Sequence, residues 1–119
     1  MDLNLLLEQM DMLITDGHEE SLYAASNAWL VSNYNAEKLE YMADAMKKAI
    51  IIEQKHEGQP LAICEARAKT DKRYADKLEE SRKANHRAEA AKAKYNIKRM
   101  EFDAVKIKIS ALQSQMKLV

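Results

Sequence analysis

Apolar residues return every three or four positions along nearly the whole of this chain, and the stripes they draw change in width from one end to the other. From Pro60 to Val119 there is no glycine and no further proline. Ala, Lys, Glu, Arg, Gln and Met dominate there, the residues that lose least on entering a helix. The spacing predicts one helix over 60–119, about 90 Å long at roughly 1.5 Å per residue, and a helix of that length implies a coiled coil. A seven-residue repeat is clear at its end, through Phe102, Val105, Ile109, Leu112, Met116 and Val119. Projected backwards it passes through Lys98, Tyr95, Ala91, Ala88, Ala84, Ser81, Lys77 and Tyr74, a thinner, Ala-rich seam that allows close helix approach but buries little area.

Upstream, the stretch 1–16 reads as a docking helix. Leu3, Leu6, Met10 and Leu13 fall at helical spacing, and Leu5, Leu7, Met12 and Ile14 widen the apolar face beyond one neighbour's reach. Gly17 supplies the stop. A second helix is expected over 19–57, closed by Gly58-Gln59-Pro60, the one sharp turn signal in the chain. It carries two apolar stripes. One runs through Leu22, Ala25, Trp29, Ser32, Ala36, Leu39, Ala43, Met46 and Ile50, and the other through Ala24, Ala28, Val31, Met42, Ala45, Ala49 and Ile52.

Two stripes on one helix cannot face one partner, so self-association is expected. The pattern therefore predicts a single all-α domain: a long antiparallel helical hairpin, coiled-coil-like, with a short N-terminal helix, assembling as an oligomer. The candidate interface comprises Leu6, Met10, Met42, Ala49, Ile51, Ile52, Val105, Ile109 and Leu112. Folding back about Gln59 would set Glu19 and Glu20 near Lys98 and Arg99, and Glu40 and Asp44 near Lys77 and Arg73. The first helix would then lie along the seam from Val105 to Met116, in its own chain or swapped onto a neighbour.

Charge adds a polarity that the zero net charge hides. Residues 1–57 hold eleven acids and four lysines, and the remainder fifteen bases and eight acids, so the two halves attract. One cluster stands apart from this pairing. Arg82, Lys83, Arg87, Lys92 and Lys94 are accompanied by a single acid, Glu89, and the expected register sets them opposite Leu22–Ala36, which contains no charge. A solvated helix face is the plain explanation of such a run, and repetition in an oligomer would turn it into a field suited to nucleic-acid phosphate. Tyr74, Tyr95, Phe102 and Trp29 lie in the seams and read as core, whereas Tyr34 is a candidate for stacking on a single-stranded base.

Candidate catalysis has no visible home. The chain shows no Gly-rich phosphate loop, no zinc spacing of Cys and His, and no nucleophile signature, so no enzyme activity, cofactor or metal is expected. Cys64 is alone, which fits a reducing compartment and a cytoplasmic protein. The start Met1-Asp2 lacks the features of a secretory signal, and the longest aliphatic run, Ala49–Ile52, is far short of a membrane span. A membrane-surface role for the first helix is the weaker alternative, because its polar face is acidic.

Lys72-Arg73-Tyr74, the Ala90-Ala91-Lys92-Ala93-Lys94-Tyr95 run and the ending Ile109-Ser110-Ala111-Leu112-Gln113-Ser114 resemble the small phage-encoded helical proteins of the recombination-mediator (UvsY-like) type. The resemblance covers the C-terminal half and lacks that family's basic-aromatic loop. It implies an oligomer of hairpins in the host cytoplasm that binds single-stranded DNA and helps load a RecA-like recombinase onto strands covered by single-strand-binding protein. The competing reading is a structural or protein-interaction coiled coil, a scaffold or an inhibitor of a host protein, with no nucleic-acid role.

Overall fold

The structure, a computed structural model, describes residues 2–118. Val119, the last position of the expected seam, lies outside them. Four helices follow in order, α1 (Leu3–Thr15), α2 (His18–His56), α3 (Leu61–Thr70) and α4 (Lys72–Lys117), and no strand occurs among the described residues. The fold is an all-α helical hairpin preceded by a short helix.

The punctuation is local. The Asp2 carboxylate accepts the Asn4 N–H at 3.0 Å and caps α1, which stops at Gly17. Gly17 takes φ 72° and Gly58, after α2, takes φ 83°, the left-handed conformation that a side chain disfavours. Pro60 then starts α3, where its missing N–H costs nothing, and its carbonyl accepts from Ile63 and Cys64 at 3.0 Å.

The helix expected over 60–119 is broken once. Asp71 is extended at φ −68° and ψ 134°, and its carboxylate accepts the Arg73 N–H at 2.8 Å, so α4 begins on a cap of its own. Before the break, the Thr70 hydroxyl donates to the carbonyls of Ala66 and Arg67. A capping carboxylate inside a run of good helix formers outweighs their propensity.

The chain divides into two compact units, one formed by Leu30–Ala90 and the other by the chain up to Trp29 together with the chain from Ala91. In the first of these, α2 runs antiparallel to α3 and to the start of α4. Ala36, Ala84 and Ala88 form its small-residue centre, with Leu39 packed against them, and Ala43, Ile50, Cys64, Ala68 and Ser81 are also buried. The other unit combines α1, the start of α2 and the rest of α4, with Leu6, Ala25 and Val105 buried and Trp29 stacked on Tyr95 at 5.2 Å. Gln9, Met12 and Leu13 of α1, with Asp16 just after it, share a groove with Lys108, Ala111 and Leu112 of α4, so α1 lies along α4 of its own chain.

Both hairpin seams hold as read. Every position from Leu22 to Ile50 and from Tyr74 to Met116 in the expected registers is buried or half-buried. The pairing between them differs. Folding about Gln59 would have set Glu65 opposite Glu53 and Glu89 opposite Trp29, whereas the partners are Arg73 and Tyr95. The break at Asp71 is the reason, since α4 restarts after an extended residue and does not inherit the register of α3. The ion pairs expected from the old register are replaced: Arg73 binds Glu53 and Asp71, Lys77 binds Glu80 and Lys98 binds Glu101.

Candidate nucleic-acid interface

Between Arg82 and Arg99, α4 carries seven bases (Arg82, Lys83, Arg87, Lys92, Lys94, Lys98 and Arg99) and one acid, Glu89. The helix has no choice but to expose most of them. Its buried seam takes Ala84, Ala88, Ala91 and Tyr95, and at about 100° per residue the remaining positions point away from α2. Arg82, Lys83 and Arg87 fall in the unit formed by Leu30–Ala90, and the other four in the second unit.

In the first of these units, Arg82, Lys83 and Arg87 are exposed, and no carboxylate among the described residues lies within 4.0 Å of any of them. The reason inferred from sequence is corrected. With Ala36 and Leu39 packed on Ala84 and Ala88, the facing stretch of α2 includes Glu37 and Glu40, which line one groove with Leu78 and Ser81. Carboxylates are therefore near this part of α4, although none is bound to the three cations.

In the second unit, the stretch Ser21–Trp29 of α2 carries no charge, and Trp29 is the residue there that stacks on α4, at Tyr95. Lys92 stands 5.9 Å from the centre of the Trp29 ring, and that ring lies against Tyr95 at an interplanar angle of 29°. A cation on the face of an indole keeps its charge available while its stem covers apolar surface. Lys94 and Arg99 are exposed with no carboxylate among the described residues within 4.0 Å, and Arg99 joins the candidate set because the register expected from sequence places it beside Glu19 and Glu20. Tyr34, on α2 of the other unit, is 66% exposed.

The candidate interface residues divide into two groups. Leu6 and Val105 are buried within the chain, and Met10, Ile51, Ile109 and Leu112 are half-buried there, so these side chains already have cover from their own molecule. Met42, Ala49 and Ile52 are exposed, and so is every other member of their stripe, Ala24, Ala28, Val31 and Ala45. A further exposed stripe was not anticipated. On α4, Ala93, Ile97, Met100, Ala104, Ile107, Ala111 and Leu118 recur at steps of three, four and seven on the side turned away from the filled seam, with Met100 at 71% and Ile107 at 70% exposure. The signal is present in the sequence, masked by the stronger seam on the opposite side.

Titration is perturbed at one place. The Arg73 guanidinium holds both oxygens of Glu53, at 3.0 and 2.7 Å, and both oxygens of Asp71, at 3.1 Å. These hydrogen bonds hold both carboxyls below their ordinary range and push the guanidinium further up. The arrangement joins α2 to the start of α4. Cys64 is fully buried, its thiol 3.4 Å from the Gln59 carbonyl, and no group of three metal-binding side chains occurs among the described residues. No described helix is long and apolar enough to cross a membrane.

No protein-family description matches the chain, and no curated protein or solved structure gives a match.

Proposed function

We propose that this protein is a non-enzymatic accessory protein that binds single-stranded nucleic acid through the cations of α4, acting as recombination mediators do. The observation that supports this is the concentration of seven bases against one acid between Arg82 and Arg99, with Arg82, Lys83, Arg87, Lys94 and Arg99 exposed and not paired with any carboxylate among the described residues. Lysines and arginines spaced along a helix neutralise phosphates without reading base edges, so affinity would be insensitive to sequence. Preference for single strands rests on Tyr34, whose exposed ring offers a base a stacking face. A RecA-like recombinase and single-strand-binding protein are the partners that such a role requires.

The experiment is a titration of labelled single-stranded and duplex DNA at several salt concentrations. Log affinity should fall with log salt at a slope of roughly −0.7Z for Z phosphates contacted on a single strand. Binding without salt dependence, or none at low salt, overturns the proposal.

A second reading, a protein-interaction coiled coil without a nucleic-acid role, draws on a different observation. Val31, Met42 and Ile52 leave an apolar stripe of α2 uncovered. Absent DNA binding together with stable self-association would favour it.

A further inference from the structure

The exposed stripe on α4 has the pattern of a coiled-coil seam with nothing packed on it. Ile97, Met100, Ala104, Ile107, Ala111 and Leu118 keep steps of three, four and seven over three heptads, all within the unit that contains α1. Such a stripe needs a partner helix, and the choice of partner follows from size and charge along it.

Laid antiparallel on itself about a twofold axis, with Ala104 opposite Ile107, the stripe puts a large residue against a small one in every layer. Ile107 then meets Ala104 of the second copy, Met100 meets Ala111, Ile97 meets Ser114 and Leu118 meets Ala93. The twofold axis repeats each pair. A parallel pairing would set Ala104 on Ala104 and Met100 on Met100, alternating gaps with crowding.

Flanking charge agrees with the antiparallel arrangement. Glu101 comes beside Lys108 of the second copy, twice by symmetry, and Lys94 comes beside the neutral Gln115. Asp103 faces Ser110 and Asn96 faces Lys117, so no like charges meet across the seam. The groove between α1 and α4 supplies an independent fit. It measures about 420 Å³, is lined by Met12, Leu13, Ala111 and Leu112 among others, and opens where the layer of Ala111 would receive Met100. Met100 is 71% exposed, and an unbranched thioether adapts to such a gap.

We propose that the protein forms a twofold dimer through this face of α4, with Met100 of each copy seated in the groove beside Ala111 of the other and Glu101 paired with Lys108 across the seam. The dimer does not depend on nucleic-acid binding, and either can fail without the other.

The test is the mass of the full chain by sedimentation at tens of micromolar, with helix content followed by circular dichroism. The parent chain should have twice the monomer mass, and Ile107→Asp should halve it at unchanged helix content. Glu101→Lys should weaken the dimer, and adding Lys108→Glu to it should restore the parent behaviour, which a variant that merely unfolds would not do. Met100→Cys chains mixed with Ala111→Cys chains should cross-link to each other on oxidation, not each to itself. A monomeric parent, a dimer that survives Ile107→Asp, a double reversal that fails to rescue, or cross-linking of like with like would each overturn the proposal.

Discussion

Arg73 grips Glu53 with two parallel hydrogen bonds, of 3.0 and 2.7 Å, twenty residues back along the chain. A forked guanidinium on a carboxylate fixes both distance and direction, so this contact sets the offset at which α4 runs beside α2. Asp71 shares the same guanidinium while capping α4, which couples the helix break to the pairing.

Both carboxyls are held below their ordinary range, chiefly by hydrogen bonds from Arg73. A folded-state value depressed below the unfolded one gives stability that is present above the unfolded pKa and is lost as pH falls through the folded one. Glu53→Gln should therefore lower the urea midpoint at neutral pH, and the difference from the parent should shrink as pH drops below the carboxylate range, about 4. Urea titrations of both chains at neutral and acidic pH check this. A difference that grows in acid would show that the Arg73 contact does not hold α2 to the start of α4.

Ala36, Ala84 and Ala88 form the centre of the Leu30–Ala90 unit because only small side chains let α2 and α4 approach so closely. Leu should not fit. Ala84→Leu is expected to cost about 1–3 kcal/mol by overpacking, while Ala90→Leu, on the exposed side of α4, should be near neutral. Thermal or urea unfolding of the two variants separates them.

Leu6 is 1% exposed, the one fully buried side chain of α1, although it was expected at an oligomer contact. Leu6→Ala should cost about 2–5 kcal/mol if α1 stays docked within its own chain. The loss should not depend on protein concentration. A loss relative to the parent that changes with concentration would place the Leu6 contact between chains.

The helices, their stops at Gly17 and Gly58 and both hairpin seams were legible because each rests on local periodicity or on a residue that only a turn favours. The register was not. It depended on one aspartate, Asp71, whose side chain caps α4 in the middle of a helical composition, and an Asp inside a long run also reads as a solvated position. That shift brought Glu37 and Glu40 alongside the first part of the basic stretch and freed Arg99 from its expected partner, so the candidate site changed in membership more than in place. The outer stripe of α4 is hard to read for another reason: an amphipathic pattern shows its strongest face first, and an Ala-rich second face carries little hydrophobic contrast.

The direct test of the functional account is charge reversal within the α4 stretch. Arg87 and Lys94 are seven residues apart in the sequence, and each is exposed within its own unit, so Arg87→Glu with Lys94→Glu leaves the hairpin seam untouched. Single-stranded DNA affinity, measured at several salt concentrations, should fall for every sequence tested, and its dependence on log salt should flatten, each lost phosphate contact removing roughly 0.7 from the slope. Helix content and mass should stay at parental values. Unchanged affinity and slope in the doubly reversed chain would contradict the account.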